Sequence, residues 1–239
     1  MSKIIYLGHS SFLIESSKRT IVLDPYADRS VPNLTFPRGI EADQVFCSHG
    51  HYDHNAINMV KEKISPRKVE VVEQVVAHDH EGGKKRGLNT IRMFDVDDFK
   101  VVHLGDTGCV PEEKLLSPFK NCDVLLAPIN GFFTINPSEL KEICKIINPR
   151  IVVPMHYFMK EKQSGYPDDN MFEKFKKEFP KIEYLDTELD LEKYKDYKGA
   201  LVFKNYLQAK WKYNNILRML QKAVCDIKPL FLVTNTYNH

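Results

Sequence analysis

Residues 49–54 read His-Gly-His-Tyr-Asp-His, and this run constrains the chain more than any other stretch. Four residues with metal-binding side chains stand within six positions, with only a glycine and a tyrosine between them. Imidazole and carboxylate form a ligand set for zinc, and for manganese or iron where carboxylates share the coordination. In an extended stretch His49, His51 and Asp53 share one face. A loop leaving a strand therefore turns them inward together, while His54 reaches a second ion beside the first. A fold that uses this run must deliver it from the end of a buried strand, and Val45-Phe46-Cys47 supplies one.

One loop cannot complete two coordination shells, so further ligands must come from elsewhere. A single histidine near a strand end is more often a hydrogen-bonded structural residue than a ligand. Several such positions combined with the hexapeptide carry more weight. His78, His103 and His156 each fall at the end of a β-rich run, with His80 a rival to His78 two residues on. Asp106 lies in a Gly-Asp turn just beyond the run Lys100–Leu104, where a carboxylate can bridge two cations.

The β-rich runs alternate with helical ones. Lys3–Glu15 reads as a strand followed by a turn at Ser16-Ser17-Lys18, and Thr20–Leu23 as a second strand stopped by Asp24-Pro25. Residues 26–40 read as a long loop, and Asn55 as the cap of a helix reaching about Ile64. Val69–Val76, Thr90–Phe94, Lys100–Leu104, Val124–Pro128 and Ile151–Met155 read as strands, with loop at Gly82-Gly83 and Gly87. Pro137–Ile147, with proline in its first turn, and Asp168–Phe179 read as helices. Strands alternating with helices, and ligands at strand ends, predict an α/β fold. The domain spans residues 1–205. Residues 206–239 read as a C-terminal helical extension, with Trp211, Ile216, Leu217 and Leu220 at helical spacing for docking on the domain or on a second subunit of a homo-oligomer.

Composition removes several function classes. The chain has 34 basic and 32 acidic residues, a balance that argues against nucleic acid as a partner. No stretch approaches the roughly eighteen apolar residues of a membrane span, and the N-terminus does not read as a secretion signal. Five scattered cysteines without a C-x-x-C pair predict reduced thiols and a cytoplasmic protein.

The run S-H-G-H-Y-D-H resembles the signature of the metallo-β-lactamase superfamily, and the resemblance extends over roughly residues 3–205. The stretches YLGHSSFLIE, HDHEGGKKRGLNTI, HLGDTG and IVVPMHY further resemble a compact branch that includes ascorbate-6-phosphate lactonase-like proteins. The resemblance implies a four-layered αβ/βα sandwich with the site at one edge between two sheets. It implies one ion on His49, His51 and His78, a second on Asp53, His54 and His156, and Asp106 as the bridge. It also favours His78 over His80, and it makes Asp24 a buttress of the histidine loop.

Two divalent ions about 3.5–4 Å apart lower the pKa of a bridging water to near neutrality. The expected activity is thus hydrolysis of a small ester, lactone or phosphoester, with Asp53 and Asp106 as catalytic carboxylates and zinc as the leading metal ahead of manganese or iron. No G-x-S-x-G elbow offers a protein nucleophile. His9, His103 and Asp24 are placed as outer hydrogen-bond partners of the ligands. Among Lys84, Lys85 and Arg86, Arg86 is the choice for binding an anionic substrate. Tyr157, next to His156, is offered as a hydrogen-bond donor to substrate, and Gly131, Phe132 and Phe133 as an apolar wall. A tRNA-processing type of nuclease and an iron-dependent redox protein on the same scaffold are the alternatives. The first lacks a basic platform, and the complete hexapeptide favours hydrolysis over the second.

Overall fold

A computed structural model of the chain describes residues 2–63, 69–167 and 170–208. The strands run in the order β1 (Lys3–Gly8), β2 (Ser11–Glu15), β3 (Thr20–Leu23), β4 (Glu41–Ala42), β5 (Gln44–Phe46), β6 (Lys61–Glu62), β7 (Val71–Ala77), β8 (Leu88–Val96), β9 (Phe99–His103), β10 (Val124–Pro128), β11 (Ile151–Met155), β12 (Ile182–Leu185), β13 (Glu188–Asp190) and β14 (Gly199–Phe203). The helices are α1 (Glu113–Leu116), α2 (Pro137–Ile147) and α3 (Met171–Glu178). One sheet has the order β13-β1-β2-β3-β5 and the other β12-β14-β11-β10-β9-β8-β7, while β4 and β6 form a small separate pair.

Alternation along β1 and β2 explains how the sheets meet. Ile4 and Tyr6 pair with Ile14 and Phe12 and share the inner face. Tyr6 stacks on Phe203 of β14 with ring centroids 5.3 Å apart, and Phe46 of β5 meets Phe94 of β8 at 5.1 Å. These pairs bridge the two sheets. Burying each such aromatic ring stabilises the sandwich by about 1.5–3 kcal/mol. The opposite face of the five-stranded sheet presents Ile5 and Leu13 to a hollow lined by Pro37, Ile40 and Leu207. Helices α2 and α3 pack on one another and bury Leu140, Ile143, Ile147 and Phe175. Asn136 starts α2 with a capping box, accepting from the Ser138 and Glu139 amides while Glu139 accepts from the Asn136 amide, and this satisfies donors the helix leaves open. Among the described residues no helix is long and apolar enough to cross a membrane.

Several elements differ from the sequence reading. The run Lys3–Glu15 is a hairpin, not one strand, because Gly8 and His9 take φ of 104° and 57° and fold the chain back. The helix expected from Asn55 is a single 3-10 turn, Ile57–Met59, with no buried residue. Its continuation is claimed by strand pairing instead: the Lys61 amide donates to Ile40 and the Lys63 amide to Ala42. The helix expected over Asp168–Phe179 is described from Met171, its first two residues lying outside the described set. Of the expected C-terminal helix only Tyr206, Leu207 and Gln208 are described. They are not helical, and the Leu207 amide donates to Tyr6; residues 209–239 lie outside.

Candidate metal centre

The strand order puts the ligand-type residues at one edge. β9, β10 and β11 are parallel, and β7 runs with them because it is antiparallel to β8, which is antiparallel to β9. His78 follows β7, Asp106 lies just past β9, and His156 follows β11. From the other sheet come Asp24 after β3, the loop 47–54 after β5, and His9 in the turn between β1 and β2. The carboxyl ends of strands from both sheets thus converge.

Two groups of side chains result. One ligand atom from each of His49, His51 and His78 lies within 4.8 Å of the others, and so do ligand atoms of His9, Asp53, His54 and His156. Asp106 stands between the groups. Its Oδ2 is 3.5 Å from His78 Nε2 and 3.9 Å from His49 Nε2 on one side, and 3.2 Å from both His54 Nε2 and His156 Nε2 on the other. His80 turns away and pairs with Glu139 at 2.7 Å, so His78 is the member of the His78–His80 pair that enters the cluster.

The pattern of satisfied and unsatisfied ring nitrogens tests whether these residues fit metal. His54 Nδ1 donates to Asp24 Oδ2 at 2.8 Å. His49 Nδ1 meets Ser48 Oγ at 2.9 Å, and that hydroxyl meets Asp24 Oδ2 at 2.6 Å. His78 Nδ1 faces the Phe133 carbonyl at 3.3 Å. Each outer partner fixes the tautomer so that Nε2 carries a lone pair inward. Those inner nitrogens, His49 Nε2, His54 Nε2 and His78 Nε2, are buried without a hydrogen-bond partner, as are His51 Nδ1, His156 Nδ1, His9 Nε2 and Asp106 Oδ1. A buried polar atom left without a partner costs about 1–3 kcal/mol, so seven in one cluster make sense as a set of metal ligands. His103 serves as the contrast. Its Nε2 donates to the Ser10 carbonyl at 2.9 Å and its Nδ1 accepts from the Gly105 amide at 3.1 Å. Both nitrogens are used, and its work is to tie the His9 turn to the Asp106 turn.

Electrostatics divide the histidines: burial opposes charge on His54, yet the facing Asp106 and Asp24 hold its imidazole well above the usual value, whereas burial dominates at His9, His49, His51 and His78. Burial pushes His9 down to about 4 and His49 down to about 3, which keeps them neutral, the form that binds metal. His51 is lowered first by burial and then by Arg86. Burial opposes the charge on Asp106, yet the facing His156 and His54 hold its carboxyl well below the usual range. Asp24 is likewise drawn down to about 2 against the cost of burial, by His103, His54 and Ser48. His9, Asp24 and His156 have φ of 57°, 43° and 53°. Such left-handed backbone in residues with side chains gathers at functional sites.

Other residues complete the surroundings. Asn89 accepts from the Asp106 amide at 2.8 Å and donates to the Leu104 carbonyl at 2.8 Å, locking the turn that carries the central carboxylate. Tyr166 Oη lies 2.8 Å from the Ser30 carbonyl and 3.4 Å from Asp53 Oδ2. Burial and Asp53 push its phenol up to about 12, so it remains a donor. Tyr157, expected at the substrate, points elsewhere. Its ring stacks on Phe172 at 5.0 Å and its hydroxyl faces the Phe203 carbonyl at 3.5 Å. The left-handed turn at His156 sends the next side chain back into the core. Arg86 lies against Phe133, the guanidinium 4.1 Å from the ring centroid.

Comparison with known proteins agrees with this site. Residues 3–156 match the family model described as the beta-lactamase superfamily domain. A UPF0173 metal-dependent hydrolase of Thermococcus onnurineus is 30% identical over 191 residues, covering 66% of this chain and 85% of that protein. A second, from Pelotomaculum thermopropionicum, is 28% identical over 193 residues, covering 65% and 84%. A crystal structure from Thermotoga maritima, of a candidate zinc-dependent hydrolase of the metallo-β-lactamase superfamily, superposes with a TM-score of 0.66 at 28% identity, covering 87% of this chain and all of that one. The protein belongs to the metallo-β-lactamase superfamily. Within it, it is a metal-dependent hydrolase.

Proposed function

We propose that the chain holds two divalent metal ions, zinc foremost, and uses them to hydrolyse a small ester, lactone or phosphoester. His49, His51 and His78 would hold one ion; Asp53, His54 and His156, with His9 beside them, the other; and Asp106 would touch both. The observation that carries the reading is that His49, His54 and His78 turn buried, partnerless Nε2 atoms to within 3.9 Å of Asp106 Oδ2. Bound divalent cations supply Lewis acidity and an acidified water. The chain's own part is to prepare that site. Asp24 fixes the tautomer of His54 directly and that of His49 through Ser48. Asp53 Oδ2, with Tyr166 Oη at 3.4 Å and His9 Nε2 at 3.5 Å, is held ionised against the cost of burial by His9 and His54, and would orient the water. Tyr166, whose hydroxyl donates to the Ser30 carbonyl at 2.8 Å and stands 3.4 Å from Asp53 Oδ2, would steady the position of Asp53.

The test is turnover of an ester, lactone and phosphodiester panel by purified protein, before and after chelation and after reloading with zinc, manganese or iron. The reading predicts activity lost on chelation and restored by reloading. Activity that survives complete metal removal contradicts it.

A further inference from the structure

Resting on that hydrolase reading, we propose that Arg86 is the specificity residue of the site and takes a carboxylate or phosphate carried by the substrate at a distance from the bond that is cut. The first support is how the loop before it is built. Asp79 Oδ1 accepts from the amides of Glu81 and Gly83 at 2.8 and 2.9 Å, and Oδ2 from those of Lys85 and Arg86 at 2.9 and 2.7 Å. The loop closes on itself where the Gly87 amide donates to Gly83 at 2.9 Å. Only glycine fits at Gly83, where φ is 84° and a Cβ would stand 2.7 Å from the Gly87 carbonyl oxygen. One carboxylate therefore fixes the backbone on which Arg86 sits, so little ordering is left to be done when a ligand binds.

The second support is the state of the guanidinium. It sits over the ring of Phe133, 4.1 Å from the centroid, and the Phe133 carbonyl steadies His78, so the cation is anchored to the wall of the cluster. Its Nε is buried and has no hydrogen-bond partner. Among the described residues it forms no ion pair, and the nearby Asp79 carboxylate is already occupied by four amides. A fixed arginine fork beside a hydrolytic centre, without a protein counter-ion, matches a planar anion such as carboxylate or phosphate. Phe132, 75% exposed with its ring 4.3 Å from that of Phe133, extends the wall as an apolar surface. The substrate class is therefore a short ester, lactone or phosphoester with an anionic group beyond an apolar stretch.

The test reads equilibrium binding, so it does not depend on turnover. Metal-loaded protein is titrated with glutarate and adipate, and with their monoamides, which carry one charge fewer at the same length. Wild type should bind each dicarboxylate at least about tenfold more tightly than its monoamide, and Arg86→Gln should bring the pair to within about twofold. Arg86→Lys should keep part of the preference, and unchanged metal content and melting temperature in both variants separate recognition from folding. In a further arm, 3-phosphonopropionate binding more tightly than succinate names phosphate as the group, and the reverse order names carboxylate. An equal preference in Arg86→Gln and wild type overturns the proposal, as does a wild type that does not distinguish acid from amide. Failure of the hydrolase reading would show separately, as absence of metal-dependent turnover.

Discussion

Replacing Asp24 by Asn probes the support of the cluster without touching a ligand. Asn tolerates the left-handed backbone of Asp24 (φ 43°) as Asp does, so backbone strain does not enter. The carboxylate accepts three hydrogen bonds, from the Ser48 amide at 2.6 Å, the Ser48 hydroxyl at 2.6 Å and His54 Nδ1 at 2.8 Å. An amide group cannot satisfy both sides. With its oxygen toward His54, its NH2 opposes the Ser48 amide, leaving a buried donor at a cost of about 1–3 kcal/mol. With its NH2 toward His54, it forces Nδ1 to accept and moves the ring proton to Nε2, the nitrogen that faces Asp106. Either arrangement should weaken metal binding by about 10–100-fold and lower the melting temperature by roughly 3–10 °C. Chelator competition gives the affinity and differential scanning calorimetry the stability. An Asp24→Asn protein that binds metal within about threefold of wild type would refute the claim that this carboxylate sets the tautomers.

Tyr166→Phe removes the hydroxyl that links the Ser30 carbonyl to Asp53 and should lower kcat/KM by roughly tenfold while leaving metal content unchanged; loss of metal would mean that the tyrosine holds the site together rather than serving turnover. Gly108→Ala should damage both stability and metal content, because a Cβ there would stand 2.0 Å from the Asp79 amide nitrogen and 2.2 Å from the His78 carbonyl carbon. The expected loss is about 1–3 kcal/mol by denaturant titration, and unchanged behaviour would contradict the close approach. Asp97 accepts from Ser17 N at 2.9 Å and from the hydroxyls of Ser2 and Ser17, which hold its carboxyl below the usual range against the cost of burial. A group lowered on folding stabilises fully above its unfolded value and loses that contribution as pH falls through its folded one. The stability difference between wild type and Asp97→Asn should therefore be constant from pH 5 to 7 and shrink below about pH 4.

Most of the candidate ligands are legible in the sequence because their chemistry is local. Four stand in one hexapeptide, Asp106 and His156 follow runs of mostly buried strand residues, and His78 follows the more exposed β7. The supporting residues are not visible in the same way. Ser48 matters only because Asp24 lies across the β3–β5 pairing. Asn89 matters because β8 runs beside the Asp106 turn, and Tyr166 reaches Asp53 across a separation of 113 residues. No spacing rule reports such partnerships. Strand residues on both sides hide the hairpin at His9, and nearness in sequence to His156 does not bring Tyr157 to the site. The segment after Asn55 has a helical cap signal, but its amides are taken by Ile40 and Ala42; tertiary pairing overrides local propensity.

The central claim is that two groups of ligands share Asp106, and metal stoichiometry tests it most directly. Elemental analysis of protein titrated with zinc and freed of excess metal should give about two ions per chain in wild type. It should give about one in a protein carrying His156→Ala and Asp53→Ala together, the ion on His49, His51 and His78 being retained. One ion or none in folded wild type, under saturating metal, would contradict the account.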